Sequence, residues 1–201
     1  MEQAVIVDSV RTGLAKSYRG GFNNTRADDM IAHLIDTLLD RHPKVEPSTV
    51  EDVILGCGYP EGSQGTNVAR TSAVLSRLPI SVGGTTVNRF CSSGLQTIAM
   101  AATQIQSGFA DCIMAGGVES ISTTQPDHIN TYMFKNERLL KEKPSIYDAM
   151  GDTAETVAKR YKVSRESQDE YALSSQLRCA EAQNNNLFDG EIAPMKTVMK
   201  V

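Results

Sequence analysis

Residues 85–96 read TTVNRFCSSGLQ, and this stretch decides how the chain folds. Its first three residues are β-branched and follow the turn pair Gly83-Gly84, a pattern that predicts a short strand. The following residues predict a helix that runs to about residue 106. Its apolar side chains recur at intervals of three and four and form one continuous stripe, made of Leu95, Ile98, Ala99, Ala102 and Ile105. Cys91 is therefore expected where a strand ends and a helix begins.

The expected setting of Cys91 favours a reactive thiol. A helix start offers unpaired backbone N–H groups and the positive end of the helix dipole, and both stabilise a thiolate. The small residues Ser92, Ser93 and Gly94 leave room for a bulky ester. These features indicate an activated nucleophile. The alternative is an inert, buried cysteine, and a nucleophile also needs a base that this stretch does not supply.

Strand and helix patterns alternate over residues 1–118. Apolar runs predict further strands at 4–7, 50–55 and 112–115. Further helices are predicted at about 27–41 and 68–78. This order predicts an α/β fold of the βαβαβαβ type, with a mostly parallel sheet and helices on both faces. Ligands of such sheets bind beyond the carboxyl ends of the strands, where Cys91 is expected.

Histidines and other cysteines of this region have structural interpretations. The apolar stripe of the helix at 27–41 puts His33 on the opposite, exposed face, and His42 at the helix end has no indicated role. That stripe consists of Met30, Ile31, Leu34, Ile35 and Leu38. Cys57 lies between two glycines, which marks either a site or, more often, close backbone packing. Cys112 falls within an apolar run and is expected in the core.

Residues 119–201 differ in composition and form a second predicted domain. Residues 121–148 are rich in Thr, Ser, Lys, Asn and Pro and predict a long excursion, which is commonly functional. Helices are predicted at about 152–161 and 165–184, the second with Ser164 as its N-cap. The excursion carries a basic segment, which is either a solvated face or a contact for phosphate groups or an acyl-carrying partner. Its members are Lys135, Arg138, Lys141 and Lys143.

Composition excludes several classes of protein. The 201 residues carry a net charge of −4, with 40% hydrophobic and 22% charged residues, so neither nucleic-acid nor anionic-membrane binding is indicated. No apolar run approaches the roughly 20 residues of a membrane span. The early strand pattern leaves no room for a targeting peptide, and the four scattered cysteines argue against a zinc site or a disulfide framework. A cytoplasmic location is expected.

Four stretches carry a family resemblance. Residues 87–96, VNRFCSSGLQ, resemble the acyl-accepting cysteine motif of the thiolases, and residues 115–120, AGGVES, resemble their glycine-rich signature. Residues 150–155, MGDTAE, resemble a third thiolase stretch, and residues 5–12, VIVDSVRT, are typical of the first strand of that family. The resemblance runs along the whole chain but covers only about the first half of an ordinary thiolase.

The resemblance implies a thiolase-like fold whose helical loop domain begins at about residue 119. It implies an acyl-CoA C-acyltransferase that cleaves 3-oxoacyl-CoA with coenzyme A, or condenses acyl-CoA, through an acyl-Cys91 intermediate. Coenzyme A and acyl-CoA are then substrates, with no permanently bound cofactor. Met150 matches a residue that lines the acyl pocket; its alternative is an ordinary core methionine. The residues Phe90-Cys91-Ser92-Ser93 of the cysteine motif resemble those of degradative thiolases and favour a role in fatty acid β-oxidation.

Two motifs of the family are absent from these 201 residues. Neither Gly-His-Pro nor Cys-x-Gly occurs, and His33, His42, His128 and Cys179 have no matching context. The isolated chain is therefore expected to be catalytically inactive or nearly so. Because thiolase halves pack face to face and dimerise, we expect a homo-oligomer or a chain that supplies the C-terminal half. A non-catalytic acyl-CoA-binding or assembly module and a ketosynthase-type condensing enzyme are the alternatives.

Overall fold

A three-stranded parallel sheet organises the chain in the computed structural model, which describes residues 3–125 and 127–201. The strands are β1 (Asp52–Gly56), β2 (Gly83–Val87) and β3 (Ile113–Gly117), in the order β2-β1-β3. Ile54 of β1 is paired with Thr85 and with Ala115. The strands of the sheet thus lie where the sequence predicted the second, third and fourth strands, and their parallel pairing is confirmed.

Helices flank both faces of this sheet. Helices α1 (Ala27–Arg41) and α2 (Val68–Leu75) pack against one face, and α3 (Ser93–Gln106) packs against the other. Val53 and Leu55 belong to the core cluster that includes α1 and α2 residues, whereas Gly56, on the alternate face, lies against the first turn of α3. The α/β class with helices on both faces is therefore confirmed.

The apolar N-terminal segment departs from the predicted strand. Residues 4–7 are not in a strand, and Val5, Ile6 and Val7 are 69–78% exposed. A strand forms only where a neighbour supplies its backbone ladder, and no described strand pairs with this run. The first backbone bridge of this region joins Arg11 to Ile192. The predicted βαβαβαβ order is thus wrong in its first strand.

Helix α3 buries a different face from its apolar stripe. Ser93, Thr97 and Ala101 are its buried residues, spaced by four, whereas Leu95 is 73% and Ile98 42% exposed. Thr97 donates its hydroxyl to the carbonyl oxygen of Gly116 over 2.8 Å, and small side chains let the helix approach the sheet closely. The apolar stripe therefore faces away from the sheet.

Helix α1 was predicted with the correct bounds, but the exposure of one of its side chains, His33, was predicted wrongly. Asp28 and Asp29 stand in the first turn, where negative charge suits the helix dipole. His33 is half-buried instead of exposed, and its Nε2 is shielded from solvent without a hydrogen-bond partner among the described residues. His33 is shielded because a helical side chain lies over the turn that precedes it, and Met30 in that turn is itself buried.

The chain divides into two compact units. One comprises the chain to Ile129 together with Glu191–Val201, and the other comprises Asn130–Gly190. The predicted domain boundary follows residue 118, whereas the compact core unit also includes residues 119–129 and 191–201. The core unit also holds the short helix α4 (Ile121–Thr124), which was not predicted.

The second unit contains helices α5 (Glu137–Glu142), α6 (Met150–Tyr161) and α7 (Arg165–Asn184). Ser164 caps α7 as predicted, since its hydroxyl accepts the Ser167 N–H over 3.1 Å. The predicted packing residues of α6 and α7 are exposed, because no described element covers them: Val157, Tyr161, Tyr171, Leu173, Leu177 and Ala180. No helix in the described ranges has both the length and the apolar character that a membrane crossing requires.

Asp8 anchors the N-terminal segment to the end of α1. Its carboxylate lies 2.9 Å from His42 Nε2 and 3.6 Å from an Arg41 nitrogen. The His42 hydrogen bond, followed by the Ser9 N–H and the Arg41 charge, lowers the pKa of Asp8 below its usual 3.8. A lowered carboxyl pKa stabilises the fold above the unfolded value, and that contribution is lost as the pH falls through the folded value.

We expect Asp8→Asn to lower the free energy of unfolding by at most about 1 kcal/mol at pH 7, because the Asp8 side chain is one-quarter exposed. The difference from wild type should shrink as the pH falls below 3.8 and the Asp8 carboxylate becomes protonated, because both proteins then carry a neutral side chain at this position. Urea titrations at pH 7 and across the acidic range measure it. Asp111→Asn, at an exposed aspartate of the same unit, serves as the control. A difference that persists in acid would refute the ion-pair explanation.

Candidate functional site

An open cleft of about 540 Å³ lies beyond the carboxyl ends of the three strands. Its walls come from the loop after β1, the turn after β2 and the segment after β3, represented by Gly58, Cys91 and Glu119. The edge of a parallel sheet at which all strands end is where ligands bind in open α/β sheets. The cleft therefore occupies the position that the topology favours for a site.

Cys91 lies on the wall of this cleft and is exposed. It is the middle residue of a 3₁₀ turn, Phe90–Ser92, between the end of β2 and the start of α3. The strand-to-helix location predicted from the sequence is thus observed. Among the residues that the structure describes, no histidine lines the cleft.

The first turn of α3 sits directly on the end of β1. A Cβ atom at Gly56 would lie 2.5 Å from the carbonyl carbon of Ser93 and 2.7 Å from the nitrogen of Gly94. A Cβ at Gly117 would lie 3.0 Å from the Gly56 oxygen. Only glycine permits this approach at residue 56, which brings the helix start and Cys91 to the edge of the sheet.

Hydrogen bonds by Ser93 close the turn that carries Cys91. The Ser93 hydroxyl accepts the Arg89 N–H over 2.8 Å and donates to the Phe90 carbonyl oxygen over 2.5 Å. Ser93 is itself buried. Ser93, within the cysteine motif, therefore shapes the backbone in addition to being small, as predicted.

A polar clamp joins two walls of the cleft, and no local sequence pattern predicted it. The Glu119 carboxylate accepts the Gly58 N–H over 2.8 Å and the Gln64 side-chain N–H over 2.5 Å. Gln64 is completely buried, and its side-chain oxygen accepts the Ser120 N–H. Glu119 and Ser120 occur within the glycine-rich motif that was quoted above, but nothing in the local pattern indicated Gln64 as their partner.

The remaining cysteines differ from Cys91 in their surroundings. Cys57 is buried beside the clamp, and burial, followed by the Glu119 charge, raises its pKa to about 11. Cys112 is half-buried against the core as expected, and burial and the Glu51 charge raise its pKa. Cys179 is exposed on α7 in the second unit. Within the core unit, Cys91 is thus the exposed thiol.

Comparison with known protein families identifies the family of this chain. The family description "Thiolase, N-terminal domain" matches residues 4–201. The chain belongs to the thiolase family. This membership agrees with the four motifs and with the parallel sheet, and it identifies the chain as a thiolase N-terminal domain with a thiolase-like fold.

Curated relatives of the chain include three thiolases. The chain is 40% identical to a 3-ketoacyl-CoA thiolase of Aliivibrio fischeri, over 98% of this chain and 50% of that protein. It is 41% identical to a 3-ketoacyl-CoA thiolase of Bacillus subtilis, over 99% and 50%. It is 39% identical to a 3-oxoadipyl-CoA/3-oxo-5,6-dehydrosuberyl-CoA thiolase of Escherichia coli, over 97% and 52%. The chain spans about half the length of these curated relatives.

Met150 lies outside the unit that contains the cleft. It is the first residue of α6, in the second unit, and its side chain is 70% exposed. The alternative of an ordinary core methionine is therefore wrong, because no described element packs over it. Its assignment to an acyl pocket stays a prediction.

Proposed function

We propose that this chain is the N-terminal part of an acyl-CoA C-acyltransferase that carries the acyl group on Cys91. The observation that supports this most directly is an exposed cysteine at a strand-to-helix turn, on the wall of an open cleft, in a member of the thiolase family. The substrates are 3-oxoacyl-CoA and coenzyme A in the cleavage direction and acyl-CoA in the condensing direction.

The proposed chemistry begins with attack of the Cys91 thiolate on the oxo carbon of the substrate. The carbon–carbon bond then breaks, its electron pair stays on the departing acetyl-CoA carbon, and a proton completes that product. The acyl group remains on the sulfur as a thioester, which free coenzyme A removes as acyl-CoA, restoring the Cys91 thiolate. Covalent catalysis divides one difficult step into two easier ones, and the Cys91 backbone N–H at the helical turn is suited to stabilise the oxyanion.

Turnover needs an acid and a base in addition to the nucleophile. The resemblance implies a histidine in Gly-His-Pro and a second cysteine in Cys-x-Gly, and neither motif occurs in these residues. We therefore propose that a chain with the C-terminal half supplies these groups, and that this chain or a second copy of the present one covers the exposed apolar surface. The exposed apolar side chains of Val5, Ile6, Leu95 and Ile98 support a covering partner.

We further propose that residues 119–201 include a domain that covers the substrate, with Met150 lining the acyl pocket. The basic segment of the second unit would then meet the coenzyme A phosphates. Arg138 is held by Glu142 over 3.0 Å, so Lys135, Lys141 and Lys143 are the better candidates. We also propose that the protein acts in the cytoplasm and that its role is in fatty acid β-oxidation.

The test is to incubate the purified chain with acetyl-CoA and to measure intact and peptide masses. We expect one acetyl group on Cys91 and none on the Cys91→Ala variant, because only this thiol combines exposure with the helix start. Steady-state cleavage of acetoacetyl-CoA should be undetectable. Acetylation of Cys179 at the rate of Cys91 would contradict the assignment, and steady-state turnover would contradict the need for further residues.

A non-catalytic acyl-CoA-binding or assembly module is the second candidate. It is favoured by the lack of both family motifs and of any described histidine on the cleft wall. Binding of acetyl-CoA without transfer to Cys91 would support it. A ketosynthase-type enzyme would instead acylate Cys91 and release carbon dioxide from malonyl-CoA, which the thiolase assignment does not predict.

A further inference from the structure

The residue before Cys91 has an unusual backbone conformation. Phe90 has a φ of 45°, in the left-handed region that a residue with a side chain as large as phenylalanine rarely adopts. Such a conformation persists only when surrounding contacts hold it in place. The Phe90 side chain is 65% exposed and has one ring contact, with Tyr59 at a centroid distance of 6.3 Å. This exposed, edge-on ring contact leaves the side chain too little packing to hold the backbone.

The side chain of Asn88 supplies polar contacts that hold the Phe90 backbone in this conformation. Its Oδ1 atom accepts the Phe90 N–H over 2.9 Å, and its Nδ2 atom donates to the Gly58 carbonyl oxygen over 3.0 Å. Both groups of the amide are therefore used, one on the turn and the other on the loop after β1. Since the amide is rigid, fixing one end restricts the position of the other.

Gly58 is in turn fixed from a third direction. Its N–H donates to Glu119, which Gln64 also holds. A Cβ atom at Gly58 would meet the Glu119 carboxylate at 2.9 Å and the Phe90 Cα at 3.8 Å, so the loop and the turn lie in close contact. The turn that carries Cys91 is thus tied, through Asn88, to a loop that is anchored by the buried clamp.

We propose that Asn88 is a positioning residue for the Cys91 nucleophile. By holding Phe90 in the left-handed region, Asn88 acts with the Ser93 hydrogen bonds to keep the 3₁₀ turn closed and the Cys91 thiol at the helix start and on the cleft wall. Asn88 itself takes no part in bond formation. The proposal rests on the proposed function, because it assigns a purpose to the turn only if Cys91 is the reactive thiol.

The experiment follows the rate of Cys91 alkylation by iodoacetamide at pH 7 in the full chain, with Cys179 as an internal reference. We expect Asn88→Ala, which removes both side-chain hydrogen bonds, to slow alkylation of Cys91 about tenfold and to leave Cys179 unchanged. Asn88→Asp keeps the acceptor for the Phe90 N–H and should stay within about threefold of wild type. Asn23→Ala is the matched control, since that side chain also bonds backbone groups but lies outside the cleft lining.

A double-mutant cycle separates positioning from general stability. In the Phe90→Gly background the left-handed conformation is no longer strained, so Asn88→Ala should slow alkylation less than about threefold there. An equal slowing in both backgrounds, or a rate of Asn88→Ala within twofold of wild type, overturns the inference. If Asn88→Ala does not fold, Asn88→Gln replaces it, because one added methylene displaces both hydrogen bonds; a wild-type rate for that variant overturns the inference equally.

The same experiment distinguishes failure of the proposed function from failure of the inference about Asn88. If wild-type Cys91 reacts no faster than Cys179, the nucleophile assignment and the inference both fall. If wild-type Cys91 reacts faster but is indifferent to Asn88, only the inference falls.

Discussion

Iodoacetamide at pH 7 is expected to modify Cys91 at least about 100-fold faster than Cys57. The thiolate is the reacting form, and burial raises the pKa of Cys57 from 9.0 to about 11, which reduces its thiolate fraction at neutral pH about 100-fold. Shielding from the reagent reduces its rate further. Cys91 is exposed at the start of a helix, where both access and the local field favour reaction.

Peptide mass spectrometry over a time course measures these rates site by site. Cys91→Ser should remove the fast phase and leave the slower modification of Cys179, which is exposed on α7. Exposure alone predicts equal rates for Cys91 and Cys179, so their ratio isolates the effect of the turn. Equal rates for all four cysteines would show that the thiol has no special reactivity and would remove the chemical basis of the proposed function.

Gly56→Ala should lower the free energy of unfolding by about 3 kcal/mol. The added methyl group would lie 2.5 Å from the backbone carbon of Ser93, and backbone at the start of α3 cannot rotate aside as a side chain can. The helix must instead move off the end of β1. Because that movement also displaces Cys91, we expect the ratio of Cys91 to Cys179 alkylation to fall in the same variant.

Gly94→Ala is the matched control for this experiment. It lies in α3, and a Cβ atom there would meet nothing within 4 Å. Alanine is favoured over glycine inside a helix, so this variant should gain up to about 1 kcal/mol. Chemical denaturation of both variants and the wild type gives the comparison. A Gly56→Ala protein as stable as wild type would mean that α3 does not rest on β1 as closely as described.

Regular elements could be predicted because their signals are local. The β-branched run after Gly83-Gly84, the apolar run of β1 and the periodicity of α1 each depend on neighbours within a few positions. The bounds of α1 and α7 were predicted without error. The location of Cys91 between β2 and α3 followed from the same local patterns, and so did the family motifs around it.

Burial was predicted less well, because it depends on which surfaces meet. The N-terminal run Val5-Ile6-Val7 is apolar enough for a central strand, yet no described strand supplies its backbone ladder. In α3, the small polar residues Ser93 and Thr97 face the sheet because close approach to Gly56 and Gly116 leaves no room for leucine. An apolar stripe shows that a helix can bury a face, and it does not show against what.

The sequence by itself determined the strands of the parallel sheet, the helices that follow them and the strand-to-helix turn at Cys91. Steric preferences and periodicity act over a few residues, so both can be recognised in a short stretch of sequence. Only the tertiary structure decided that Gln64 meets Glu119 across 55 positions, that Asn88 bridges Gly58 to the left-handed Phe90, and that an open cleft lies at the strand ends. Such contacts form when distant segments are brought together, and no local pattern encodes the distance between them.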